Sequence, residues 1–477
     1  MALPNDIFFA SISEIGAGLR SKQFSAVELT RAFCERLERV GPRYNALVLS
    51  LRQQALREAR DVDGDLKRDR TRGPLQGIPY AVKDLLSVKG HPTTWGAKPF
   101  ASQVFPEDAR VIQHLSKTGA ILIGKLAMIE LAGGGNYSSA AASLTGPCLN
   151  PWDISRWSGG SSSGSAAATA SGLAVFTLGS ETSGSILTPS AFCGVTGLRP
   201  TYGLVSRRGA MALSWTLDKI GPLCRSAEDC GFVLHTIAGN DVEDLGSAGR
   251  GFFYAPQFAP KPSDITIGYA PVDFDGWAEP DARPALQAAL AVMKSLGFQM
   301  KEIELPDFPY SSLVQVILAG EMGSIFEDLI RSGRVEELAD KEQIAGLKAS
   351  LDLPSVEYLR AMRVRTQVQA AFRELFLDVD LLLSPARYGV APNVSESLDG
   401  PGAAVFSRPS SRGMTGIIPA GNLVGLPALS LPCGFAGGLP LGISLVARPF
   451  QENQMIAVGK IFQSHTDWHR RRPPVEA

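Results

Sequence analysis

Thirty-five consecutive residues, Gly413 to Ala447, contain no aspartate, glutamate, lysine or arginine. A second uncharged tract runs from Ser158 to Ser180. Such stretches either lie in a protein core or span a bilayer. The longer tract holds eight glycines and Pro419, Pro427, Pro432 and Pro440, which break any helix long enough to cross a membrane. The shorter one is Ser, Gly and Ala with few large side chains, too weakly apolar to insert. Both therefore predict short buried elements of a large globular protein with no membrane span.

Composition supports that reading. Of 477 residues, 45% are hydrophobic and only 19% are charged, enough for a sizeable core. The 46 basic and 47 acidic side chains nearly cancel to a net charge of −1, which argues against nucleic acid as a partner. Six scattered cysteines form no CxxC pair, and the first residues lack a basic segment followed by an apolar one. A reducing, cytoplasmic setting is expected.

Periodicity predicts α/β alternation. Ser25 and Glu28 form a capping-box pattern ahead of a helix to about Val40, and a second helix is expected over 51–69. The run Gly77-Ile-Pro-Tyr-Ala-Val-Lys83 reads as a strand ending near Lys83. A helix over 107–118 and a strand over 120–124 follow, then a strand at 175–178 and a helix over 226–239. Strand, helix and strand repeat over 265–303, with helices over about 310–377, a core strand at 380–385 and late strands at 428–432 and 441–447. These imply an α/β fold built on one large mixed, mostly parallel β-sheet with helices on both faces. Residues 1–70 are expected to be a helical segment packing on the core, and 71–477 the α/β domain, together one continuous catalytic domain.

The densest chemical cluster is Ser158-Gly-Gly-Ser-Ser-Ser-Gly-Ser-Ala-Ala-Ala, followed by Gly179-Ser-Glu-Thr-Ser-Gly-Ser185-Ile. A flexible linker would not run into an alanine-rich helix and an apolar strand, as this tract does. Gly159 and Gly164 have P-loop spacing, but the required lysine is Ser165 and no apolar strand precedes the loop. Nucleophilic serine chemistry remains, and it needs a base. None of the five histidines lies in a recognisable nucleophile-and-base context. His465 and His469 have the i, i+4 spacing of a metal pair, but the HExxH glutamate is absent and a solvated last helix is the expected account. A lysine made neutral by burial is the alternative base, and Lys83 at a buried strand end is the candidate.

Together, Gly77–Asp84, Gly159–Ala168, Gly179–Ile186, Ala191–Ser206, Leu217–Pro222, Asp380–Pro385 and Gly425–Pro432 resemble the amidase signature family, in order and spacing from about residue 20 to 450. The resemblance implies a Ser-cisSer-Lys triad: Ser185 as nucleophile, Ser161 after a cis peptide bond as proton relay, and Lys83 as base. It also implies an oxyanion hole from the backbone N–H groups of Thr182, Ser183, Gly184 and Ser185, with no metal or cofactor. The expected reaction is hydrolysis of neutral carboxamides or anilides through an acyl-enzyme, extending to esters and carbamates (urethanes). The alternatives are the A subunit of the glutamyl-tRNA amidotransferase, releasing ammonia from glutamine for a partner protein, and a non-catalytic binding relative.

Two departures from the family pattern stand out. Ser183 replaces a usual glycine, and is expected to narrow the pocket or re-aim the oxyanion turn. Glu181 and Leu187 stand where Asp and Arg are usual, so an acidic–arginine brace of the nucleophile loop is not expected in its common form. Gly133, Gly134, Tyr137 and Trp215 are the candidate substrate contacts, with Trp215 favouring aryl or other apolar groups. Arg387 and Tyr388 follow a core strand and read as a solvated loop or a pocket edge. The expected partner is a small-molecule amide, with neither nucleic acid nor membrane involved and a homodimer left open.

Overall fold

The computed structural model describes residues 3–4, 6–258, 260–398 and 413–474. Eleven strands form its main sheet: β1 (Leu47–Ser50), β2 (Pro79–Lys83), β3 (Ile121–Leu126), β4 (Phe176–Glu181), β5 (Thr196–Arg199), β6 (Lys219–Cys224), β7 (Thr266–Tyr269), β8 (Gln299–Glu302), β9 (Leu381–Pro385), β10 (Ala428–Ala436) and β11 (Leu439–Ala447). Their spatial order is β1-β3-β2-β4-β6-β5-β10-β11-β9-β7-β8. The mixed sheet with helices on both sides is as expected. Parallel pairing, however, is confined to two blocks, β3-β2-β4 and β9-β7-β8. The centre, from β4 through β6, β5, β10 and β11 to β9, is antiparallel. The late strands β10 and β11 return to this centre, so the longer uncharged tract supplies two adjacent core strands and the helix Ile417–Val424.

β9 and β11 are rich in apolar residues because both faces of the sheet are covered there. Every residue of β2, β3, β4, β6, β9 and β11 is buried. The capping box at Ser25 is formed: Ser25 Oγ accepts the Glu28 N–H at 3.1 Å and Glu28 accepts the Ser25 N–H at 2.8 Å. Ser11 and Glu14 form another ahead of the helix Ile12–Arg20. The first 70 residues also contribute a strand, since β1 pairs antiparallel with β3 at the sheet edge.

Two further strands of this sheet escaped the sequence reading for a physical reason. β6, Lys219-Ile-Gly-Pro-Leu-Cys, contains Gly221 and Pro222, which normally mark a break, yet it pairs with β4 on one side and β5 on the other. β5 is only four residues long. The last helix, Glu452–Ser464, stops before His465, and His469 lies in a separate turn, Trp468–Arg470. The two imidazoles therefore do not share a helix face. Among the described residues, no helix is long and apolar enough to cross a membrane.

Candidate active site

Lys83 is the last residue of β2, and its side chain is fully buried between two serine segments. Its Nζ lies 2.7 Å from Ser161 Oγ, 2.9 Å from Ser180 Oγ and 3.1 Å from Ser162 Oγ. A neutral amine has two N–H groups and one lone pair, which three hydroxyls satisfy completely. Burial pulls the Lys83 amine down to about 7, against the opposing charges of Asp218 and Glu181.

The peptide bond between Gly160 and Ser161 is cis. Gly160 has no room for a side chain, because a Cβ there would lie 2.7 Å from Trp157 and 2.9 Å from Ile129. Ser185 sits half-buried on the turn between β4 and the helix Leu187–Cys193. The Ser162 N–H donates to the Ser185 carbonyl at 3.3 Å, which ties the Ser185 turn to the segment holding Ser161. Gly184 has φ +93°, a left-handed conformation that favours glycine. Ser183 is exposed and is not among the positive-φ residues, so its side chain is accommodated without backbone strain.

The acidic–arginine brace is present, contrary to the sequence expectation. Glu181 at the end of β4 pairs with Arg199 at the end of β5, 2.7 Å apart and both fully buried. The glutamate also accepts the backbone N–H of Ile186 at 2.9 Å and of Leu187 at 3.0 Å, and the Asn422 amide at 3.0 Å. Burial pushes the Glu181 carboxyl up, but Arg199 and Asn422 outweigh it and hold the group at about 2. Position 187 need not be arginine, because the cation arrives from β5, two strands away in the sheet. A second buried pair, 2.7 Å apart, joins Asp84, the residue just after Lys83, to Lys125 on β3.

The substrate-contact candidates fall on two sides of this centre. The Tyr137 hydroxyl stands close against Gly160, 3.2 Å from where a Cβ would be, and its ring packs edge-on to Trp157 at 6.1 Å. Gly133 has φ +91° beneath the Tyr137 ring, and Gly134 packs against Leu213. Trp215 is 49% exposed and lines a cavity of about 700 Å³ together with Leu85, Ala132, Met211, Leu213 and Thr182. Tyr388 is no solvated residue: it is buried, and its hydroxyl donates to Asp273 at 3.0 Å. The Arg387 guanidinium lies over the Phe192 ring at 5.7 Å. Ser162, Ser180, Arg199, Asp218 and Asn422 were not singled out from the sequence. The first four lie inside the recognised motifs, but only the fold shows which of their side chains point inward.

The amidase family model matches residues 28–456. The A subunit of the glutamyl-tRNA(Gln) amidotransferase of Moorella thermoacetica is 36% identical over 98% of this chain and 99% of its own length. Among solved structures, a chain of a vestigial protein complex that reveals the evolutionary origins of an s-triazine catabolic enzyme is 30% identical with a TM-score of 0.85, covering 96% of this chain and 98% of that one. The peptide amidase of Stenotrophomonas maltophilia is 28% identical with a TM-score of 0.83, covering 98% of each chain. A buried lysine against a cis serine, and a family match over nearly the whole length, lead to one statement: this chain belongs to the amidase signature family of enzymes.

Proposed function

We propose that the protein is an amide hydrolase working through an acyl-enzyme on Ser185, with Ser161 relaying the proton to neutral Lys83. The observation that carries this reading is the fully buried Lys83 amine at 2.7 Å from the hydroxyl that follows the cis bond. Ser185 Oγ attacks the carbonyl carbon while its proton passes through Ser161 to Lys83. The N–H groups of Thr182, Ser183, Gly184 and Ser185 receive the developing oxyanion; Glu181 takes the next two N–H groups in the chain, of Ile186 and Leu187. The proton returns to the leaving amine by the same relay, and water then hydrolyses the ester.

A base must be neutral to act, which fixes the sign of the pH dependence. With the Lys83 amine near 7, kcat/KM is expected to fall about tenfold per unit below that value and to level off above it. A flat pH–rate profile between about pH 5 and 9 would remove the neutral-lysine mechanism.

Substrate choice divides into two readings. One part of the cavity wall, Leu85, Ala132, Met211, Leu213 and Trp215, suits neutral carboxamides or anilides bearing an apolar group, while Arg207, Arg208, Glu243 and Asp244 line it as well. Esters and carbamates present the same carbonyl and belong to the same proposal. The second reading, ammonia release from glutamine as one component of a larger enzyme, is favoured by the full-length 36% identity to the amidotransferase A subunit. Sequence identity weighs for the second and the cavity lining for the first. Six free, buried cysteines accord with the cytoplasmic setting proposed for either. A hydrolysis panel of glutamine, aliphatic amides, anilides, esters and carbamates separates them. Turnover of anilides or carbamates with glutamine left intact upholds the first, whereas glutamine turnover and co-purification with a partner protein establish the second. No turnover, with no sulfonyl fluoride adduct on Ser185, would leave a binding protein.

A further inference from the structure

Asp218 lies immediately before β6, and the mechanism above gives its carboxylate no chemical step. Its two oxygens face two different loops. Oδ1 accepts the Thr182 hydroxyl at 2.6 Å. Oδ2 accepts the backbone N–H groups of Leu213 at 2.8 Å and Ser214 at 2.9 Å. In all three bonds the carboxylate accepts, the arrangement that suits its ionised form, which these bonds and Lys219 favour against a burial that pushes the carboxyl up.

The first of these loops is the proposed oxyanion turn. The second carries Trp215 and is clamped along its backbone. Glu321 accepts the Thr216 N–H at 3.1 Å and the Thr216 hydroxyl at 2.8 Å. Arg365 donates to the Thr216 carbonyl at 2.8 Å, and the Tyr202 hydroxyl donates to the Trp215 carbonyl at 2.6 Å. A half-exposed indole is thus presented to the cavity from a backbone with little freedom, and the carboxylate beneath that backbone also orients Thr182.

We infer that Asp218 is a positioning residue coupling the Trp215 loop to the oxyanion turn, so that a bulky apolar group in the cavity raises the rate of acylation rather than affinity alone. This rests on the amide-hydrolase reading. A group seated against Trp215 acts on the same carboxylate that aims Thr182, so part of its binding free energy is realised in the transition state. Asp218 has a second, electrostatic effect. The charged groups around Lys83 are Asp218 and Glu181, with Lys219 beside both and the Asp84–Lys125 pair closed on itself. Removing the Asp218 charge makes the Lys83 amine easier to deprotonate, which moves the onset of reactivity to lower pH.

The test uses the whole protein and two reagents, phenylmethanesulfonyl fluoride and methanesulfonyl fluoride. Ser185 Oγ bonds to sulfur, fluoride leaves, and the hydroxyl proton passes to Lys83, so the readout does not depend on which amide is the substrate. The wild type is expected to react faster with the aryl reagent. Asp218→Asn and Thr182→Val are each expected to lower the limiting inactivation rate at nearly constant reagent affinity, by about 10- to 100-fold more for the aryl reagent than for the methyl reagent. The double variant should lose no more than the worse single one. In Asp218→Asn the half-maximal pH should fall. Thr182→Val loses one hydroxyl and keeps the test decisive if Asp218→Asn does not fold. Additive losses or a loss confined to reagent affinity would overturn the coupling, and an unmoved pH midpoint would remove the electrostatic effect on Lys83. Failure of either reagent to label wild-type Ser185 would instead overturn the amide-hydrolase reading, while unchanged labelling in both variants would sink the Asp218 inference alone.

Discussion

Ser185→Ala is expected to lower kcat/KM by on the order of 10⁴-fold or more on whichever amide the panel identifies, because it deletes the atom that carries the acyl group. The residual rate would come from the oxyanion turn and from binding, which the substitution leaves in place. Lys83→Met should cost about 10²- to 10⁴-fold, the usual contribution of a positioned base. Methionine has a similar reach and fills a site that is fully buried. Its effect on stability has a definite sign. Burial holds the Lys83 amine near 7, while an unfolded chain keeps it protonated to about 10.4. The unfolded state therefore binds more protons between these values, and stability rises with pH across that window. Lys83→Met removes the penalty, so it should be at least as stable as the wild type near pH 7 while being almost inactive. Because nucleophile and base act as one unit, the double variant should be no worse than Ser185→Ala alone. Loss of activity accompanied by unfolding, or retention of a tenth of the rate in Ser185→Ala, would place the chemistry elsewhere.

How far the sequence discloses this site depends on the distance over which each signal acts. Five apolar neighbours put Lys83 at a strand end but by themselves fit a surface lysine; only its combination with the two serine motifs pointed to it, and the cis bond was legible because the Gly160–Ser161 motif carries a family resemblance. The uncharged tract 413–447 correctly announced core strands, yet its place at the centre of the sheet is a property of long-range pairing that no local pattern encodes. β6 was hidden by Gly221 and Pro222, whose local preference for a break is overridden by partners on both sides. The Glu181–Arg199 pair failed for a related reason. Reading position 187 as the necessary cation assumed a local brace, whereas β4 and β5, separated in the sheet by β6, deliver both charges to the same point. Asp218 stood in a quoted motif throughout, but its two-sided hydrogen bonding appears only when the Thr182 turn and the Leu213 loop converge on it.

That brace gives the second large expected effect. Glu181→Gln should cost roughly 3–5 kcal/mol of stability, because it leaves the Arg199 charge buried without its counter-ion. The loss should be present in full at neutral pH. A carboxyl held at about 2 in the fold, against about 4.3 in an unfolded chain, stabilises at every pH above the higher value, and that contribution fades as pH falls through the lower one. Wild type and variant should therefore converge in urea midpoint toward pH 2. The substitution should also slow sulfonylation of Ser185, since the Ile186 and Leu187 N–H groups lose a charged acceptor and the nucleophile turn loses its anchor. Replacing both partners, Glu181→Gln with Arg199→Met, separates the two effects. Removal of the orphaned charge should recover much of the stability, because an apolar replacement for a buried ion pair is often close to neutral. The rate of Ser185 labelling should not recover with it, because the anchor of the turn remains absent. Equal recovery of both would mean that Arg199 alone disturbed the turn, and Glu181 would then be a counter-ion rather than the residue that holds the nucleophile in place.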